Sequence, residues 1–239
     1  LGHEPPVFGH MPLLFGQDGR VLSKRRGAVS IGEYRRQGYL PEALVNYIAL
    51  LGWSSRTGEE ILSIEEIADE FDISKLSRKP STFDPDKLAW VNAQWMRRLP
   101  VSERTERVLP VLREEGLLPA DLAEEKRAWL EDVVALIDDR LKTLRDILEF
   151  DWFFLASDVD YDSMAVSKVL AKPGAGDILA GLQRKLAEAP DFRPESLEKT
   201  IRSFAEDVGL SAGKVIGPLR VAVTGKTASP GMFETLSLL

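Results

Sequence analysis

The chain has 239 residues, 44% hydrophobic and 29% charged, which suits a globular protein with a substantial core and excludes intrinsic disorder over most of its length. It has no cysteine and two histidines, which excludes disulfides, thiolate zinc sites and cysteine nucleophiles, removes most imidazole chemistry, and makes the reducing cytosol the expected compartment. The formal net charge of −7 is unevenly spread, because residues 1–40 carry six basic groups against three acids and residues 208–239 carry Lys214, Arg220 and Lys226 against Glu234, while the middle is acidic. Such a layout permits an anion-binding surface at each end. No apolar run approaches the length of a membrane span, and Leu1 to Pro6 lack the basic-then-apolar layout of a signal peptide, so neither a spanning segment nor an export signal is expected.

In chain order, Val7, Phe8, Leu13, Leu14 and Phe15 are interrupted by Pro5, Pro6 and Pro12 and read as extended structure. Gly16-Gln17-Asp18-Gly19 then predicts a hairpin turn, and strand is expected only over residues 7–22. Everything after it reads as helix. Leu40-Pro41-Glu42 opens one, with Leu44, Tyr47, Ile48 and Leu51 on one face and Gly52 as its stop. Ser63-Ile64-Glu65-Glu66 has the capping-box pattern, with Ile64, Ile67, Ala68 and Phe71 as the buried face. Asp84-Pro85 opens another helix, through Leu88, Val91, Trp95 and Leu99, in which Trp90 and Trp95 read as packing residues. A boundary is expected at Leu99-Pro100, with Ser102 capping the next element. From Asp121 a long helix is predicted, with Leu130, Val134, Ile137, Leu141, Leu144 and Leu148 forming a seam for other helices. A second boundary is expected between Ser157 and Asp162, followed by short helices broken at Pro173-Gly174, Pro190, Pro194, Gly209 and Gly217-Pro218. Asp158, Asp160 and Asp162 alternate as calcium-loop ligands do, but the glycine and the terminal glutamate of such a loop are missing; His3 and His10 have no metal-ligand partner at sensible spacing.

The strongest local motif is Leu22-Ser23-Lys24-Arg25-Arg26, directly after the hairpin: a hydroxyl, a mobile ammonium and planar guanidinium forks suit phosphate oxygens, and a solvated basic turn is the competing reading. The text around it, Pro6 to Phe15, Gly16 to Arg20 and Val21 to Arg25, resembles the end of the catalytic domain of bacterial-type glutamyl-tRNA synthetases with their K-M-S-K-S-type loop, Val21 standing where the loop's leading lysine is usual. Tyr34, Gly38 to Leu44, Asn46-Tyr47 and Leu51-Gly52, then Phe83-Asp84, Lys87-Leu88, Trp90 and Asn92, are similar to the stem-contact helices that follow that loop. Pro218 to Gly225 and Ser229 to Glu234 resemble the family's last anticodon-binding segments. The family's nucleotide-binding half, with its H-I-G-H-type motif, has no counterpart, so the chain looks like the C-terminal half of a synthetase.

The resemblance implies a mainly α fold: residues 1–28 as the end of the catalytic domain, 29–100 as a helical stem-contact domain, and 101–160 and 161–239 as two anticodon-binding helical subdomains. It implies a glutamate–tRNA ligase working through glutamyl-adenylate with ATP and Mg2+, on tRNA-Glu and in some relatives tRNA-Gln, as a cytoplasmic monomer, with no metal bound by this chain itself. By resemblance Lys24 neutralises the triphosphate, Ser23 and Arg25 support loop closure, and Leu22 meets the adenine through its backbone. Arg220, Ser229, Pro230 and Met232 take the anticodon role, and Arg140 the third anticodon base. The residues leave other readings open. Ser229 and Pro230 have the form of a helix start, Arg220 that of a surface cation, and Arg140 that of an intrahelical ion-pair partner. Without the nucleotide-binding half this chain is expected to bind tRNA and not to activate glutamate; a stand-alone tRNA-binding module is the alternative, and a protein-binding scaffold would leave the basic loop unexplained.

Overall fold

Asp18 and Gly19 set the first turn: the Asp18 carboxylate accepts from the Arg20 amide, Gly19 adopts φ +71°, and Gly16 N–H closes on the Arg20 carbonyl at 2.8 Å. The computed structural model describes residues 11–23, 30–155 and 159–239 together with Gly2 and Phe8. It falls into two compact units, Leu1–Pro100 with Leu141–Arg145, and Val101–Arg140 with Asp146–Leu239. The boundary expected near residue 160 lies inside the second unit.

In the first unit, β1 (Leu14–Phe15) meets Val21 across the turn in an antiparallel bridge, but its ladder partner is β2 (Ser81–Thr82), parallel, in register Leu14 with Ser81 and Phe15 with Thr82. The expectation of strand only over 7–22 is therefore corrected; a two-residue strand has no periodicity to announce it. Four helices follow: α1 (Ile31–Arg36), capped by Ser30; α2 (Pro41–Leu50), with Pro41 in its first turn; α3 (Ile64–Glu70), with the full Ser63–Glu66 capping box; and α4 (Pro85–Arg98), capped by Asp84. Leu40, Leu62, Leu88, Val91 and Met96 are buried in this unit, and of the face expected on α3 only Ile67 is, since Ile64 and Phe71 are exposed.

Two fully buried asparagines stitch these pieces together. Asn46 donates to the Glu60 carbonyl and accepts from Leu62 N–H and Trp95 Nε1; Asn92 accepts from Leu40 N–H at 2.8 Å and donates to the Lys142 carbonyl. Leu141–Arg145 is anchored there as well by Leu144 N–H donating to the Gly38 carbonyl at 2.9 Å.

The second unit is helical among the described residues: α5 (Val101–Glu114), α6 (Glu124–Ile137), α7 (Ser163–Ala165), α8 (Ala175–Ala187), α9 (Pro194–Asp207), α10 (Ala212–Thr224) and α11 (Met232–Leu238), with a 3-10 turn at Asp138–Arg140, a π turn at Val166–Leu170, and the greater part of a 3-10 segment, Leu144–Phe153, whose first two residues belong to the first unit. Ser102 lies inside α5 and does not cap it. The long helix expected through Leu148 stops at Ile137, because Asp138 takes φ +42°, ψ −110°, which no helix accommodates. Leu182, Ile201, Phe204, Val215, Leu219 and Met232 form the core of the last four helices, and Gly181 lets α8 lie on Phe204, where a Cβ would stand 2.8 Å from the ring.

Candidate functional site

Arg220 sits half-buried on α10, between Leu219 and Val221, which face the core. Its Nε–H donates to Ser229 Oγ at 3.1 Å, and that hydroxyl donates to the Pro230 carbonyl at 2.9 Å. The connection between them is tight. Thr224, fully buried, donates back to the Arg220 carbonyl and accepts from Lys226 N–H, while Gly225 at φ +70° ends the helix and accepts from Asp162 N–H. Residues 226–229 are thereby turned toward a pocket of about 400 Å3 lined by Arg140, Glu149, Phe150, Trp152, Lys226, Ala228 and Ser229.

The pocket joins flat apolar walls to cations and a hydroxyl. Phe150 and Trp152 meet edge to face at 5.4 Å, and the buried Trp152 Nε1 has no hydrogen-bond partner. Arg140, at the end of the 3-10 turn, is exposed, and no ion pair or hydrogen bond engages its side chain among the described residues, so the intrahelical pair considered from sequence does not form. Behind the pocket, burial pushes the Asp151 carboxyl above the ordinary carboxylate range, with Lys226 opposing the shift and Asp160 adding to it. One of its oxygens is buried without a partner. Asp151→Asn is therefore expected to stabilise the protein at neutral pH. The carboxylate's desolvation cost is present above its raised pKa and vanishes as acidification protonates the folded form, so the gain should shrink as pH falls through that range. Urea unfolding of both proteins over a pH series measures it; a gain that grew on acidification would refute the assignment of burial as the cause.

Of the residues expected to contact a ligand at this end, Arg140 and Ser229 line the pocket and Arg220 holds Ser229 from behind. Ser229 and Pro230 do not start a helix, since α11 begins at Met232 with Gly231 before it. Met232 is only 4% exposed and belongs to the core, so it offers no surface for contact. Sequence reasoning missed Glu149, Phe150, Trp152, Lys226 and Ala228; the available signal was the aromatic run Phe150 to Phe154, which no seam accounted for. Lys142 and Arg145 belong to the first unit, whereas Arg140 belongs to the second.

In the first unit, Leu22 and Ser23 are half-buried at the exit of the turn, and Leu22 N–H donates to the Leu14 carbonyl at 2.8 Å. Lys24, Arg25, Arg26, His3, His10 and Asp158 lie outside the described residues. Among the described residues no group of three or more His, Asp or Glu side chains could hold a metal ion, and no helix is long and apolar enough to cross a membrane. Asp162 instead caps α7.

Comparison with known proteins divides the chain in a similar way. Residues 103–239 match the anticodon binding domain family, and residues 1–90 match the catalytic domain of class I tRNA synthetases (E and Q). The glutamate–tRNA ligase of Moorella thermoacetica is 38% identical over 239 residues, covering all of this chain and 49% of that protein, and that of Elusimicrobium minutum is 40% identical, covering 48% of it. The chain thus spans about half the length of the curated relatives it matches. A crystal structure of a glutamate tRNA ligase from Elizabethkingia meningosepticum in complex with its amino acid superposes with a TM-score of 0.84 at 27% identity, over 99% of this chain and 49% of that one.

Proposed function

The chain belongs to the class I glutamyl-tRNA synthetase family, where it matches the C-terminal half, and from that premise we propose that it is the tRNA-binding part of a glutamate–tRNA ligase. The observation that carries the reading is the pocket of the second unit. Bases of single-stranded RNA are held by stacking on aromatic faces and by hydrogen bonds at their exposed edges, with cations serving the adjoining phosphates. Ser229 and Arg140 supply the edge contacts and Lys226 a phosphate contact, beside the almost wholly buried rings of Phe150 and Trp152, which line the pocket and give it its apolar wall. Arg140 takes the third anticodon base. Arg220 presents Ser229, and its remaining guanidinium N–H groups are available to RNA.

At the other end, a consecutive hydroxyl, ammonium and guanidinium form a donor set that fits a triphosphate. Ser23, Lys24 and Arg25 would hold it, and Leu22 would meet the adenine through its backbone. ATP would supply the adenylyl group that activates glutamate, with pyrophosphate as the leaving group and Mg2+ accompanying it; Lys24 would place positive charge where the phosphate oxygens gain negative charge, with Ser23 and Arg25 supporting it. The substrates of the whole enzyme are then glutamate and tRNA-Glu, with tRNA-Gln as a further acceptor wherever the third anticodon base is read loosely, and its place is the cytoplasm, as a monomer.

The test at the RNA end is the affinity of wild type, Arg140→Ala and Arg220→Ala for tRNA-Glu and anticodon-substituted transcripts across a salt series. If either arginine hydrogen-bonds a base, its removal costs about 1–3 kcal/mol and relaxes discrimination at that base, whereas removing an arginine bound to phosphate weakens all transcripts alike with a shallower salt slope. If neither variant changes any affinity, the pocket is not the RNA site.

A further inference from the structure

We propose that Arg104 is a positioning residue for Arg140, acting through the backbone of Asp138. The inference rests on the reading above, in which Arg140 contacts the third anticodon base. Arg104 is on α5, only 5% exposed, far more buried than an arginine on a helix surface. Its Nη1 lies 3.0 Å from Asp138 Oδ1 and 3.4 Å from the Asp138 carbonyl, while its Nε is buried without a partner. Burying a guanidinium against one exposed carboxylate, with a donor left unpaired, is poor design for stability alone.

What the arrangement achieves is a turn. Asp138 is the sole non-glycine residue with positive φ among the described residues, and its ψ of −110° takes it outside even the left-handed helical region. The apolar steps of the sequence would carry α6 on through Leu141 and Leu144, and on such a helix Arg140 would project from a different point, one residue row away from the fully buried Ile137. Arg104 grips both the side chain and the carbonyl of the residue at which the helix breaks. Two residues later Arg140 lines the pocket with Phe150, Trp152 and Ser229. Strained backbone persists where surrounding contacts over-determine it, and here the contact that does so is one buried guanidinium nitrogen, Nη1, bonded to both the side chain and the carbonyl of the strained residue. Arg104 touches no RNA in this reading; it fixes the direction from which Arg140 approaches.

The test measures affinity of the chain for the tRNA-Glu anticodon stem-loop and for the same stem-loop substituted at the third anticodon base, alongside urea unfolding, for Arg104→Gln, Asp138→Ala, Asp138→Gly and Arg140→Ala. Arg104→Gln and Asp138→Ala should each lower the ratio of the two affinities by roughly tenfold, the scale of one side-chain contact to a base, while affinity for the substituted stem-loop changes less than about twofold. Asp138→Gly should keep more of the ratio than Asp138→Ala, because glycine adopts the required φ without strain. The Asp138 side chain is exposed, so its variants carry the test if Arg104→Gln fails to fold. A ratio unchanged in the Arg104 and Asp138 variants, beside a lowered ratio in Arg140→Ala, overturns the positioning role and leaves the reading of Arg140 standing. An unchanged ratio in Arg140→Ala overturns both. Loss of stability with the ratio intact identifies the pair as structural and likewise overturns the proposal.

Discussion

Gly38→Ala is expected to cost on the order of 3 kcal/mol of stability in the first unit, a large loss for one added methyl group. Gly38 adopts φ +82°, a conformation that L side chains rarely take, and an added Cβ would stand 2.6 Å from Arg145 N and 3.0 Å from Leu144 N. Those are backbone atoms, so no rotamer change relieves the clash. They also belong to the segment that Leu144 N–H fastens to the Gly38 carbonyl and that Asn92 fastens through the Lys142 carbonyl. A shift large enough to admit the methyl group therefore breaks a hydrogen bond as well as straining the backbone. Gly58 provides the control, since it has φ +77° but nothing within 4 Å of its Cβ position. Gly58→Ala should show the conformational cost alone, about 1–2 kcal/mol. Urea unfolding followed by tryptophan fluorescence compares them, and equal losses at the two positions would show that the close approach of residues 141–145 contributes nothing.

Much of this architecture was legible in the sequence because it is written in local signals. The Ser63–Glu66 box and Asp84 each fix a helix start by accepting from backbone donors, and Pro41 fixes one through its preset φ and absent N–H; each start stands where those residues stand. Two of the failures involve side-chain contacts that the local pattern does not announce. The seam from Leu130 to Leu148 obeys helical spacing throughout, yet Asp138 breaks it under the hold of Arg104, 34 residues earlier. Ser229-Pro230 has the composition of a helix start, but Ser229 is committed to Arg220, and the helix begins at Met232. The pocket shows the same division. Arg140 and Ser229 were reached by resemblance, whereas Phe150, Trp152 and Lys226 become neighbours of them only when two stretches of chain some seventy residues apart are folded together.

Lys24→Ala, made in the full-length enzyme, is expected to lower the turnover number for glutamate activation on the order of 10²–10³-fold while changing the KM for glutamate and the affinity for tRNA little. The expectation follows from what an ammonium can do in that sequence position. The turn at Gly16–Gly19 is closed by backbone hydrogen bonds, and Leu22 N–H is tied to Leu14, so the chain leaves β1 by a fixed route just before Ser23 and Lys24. A lysine at that position of the sequence is a point charge on a flexible four-carbon stem, able to follow phosphate oxygens as their charge increases, and interactions that strengthen only as the reaction proceeds act on turnover and not on ground-state binding. Lys24→Arg should recover part of the rate, because charge is kept while the planar fork replaces the compact ammonium. Glutamate-dependent ATP–pyrophosphate exchange measures all three proteins. A turnover number unchanged in Lys24→Ala would reduce Leu22 to Arg26 to a solvated basic turn.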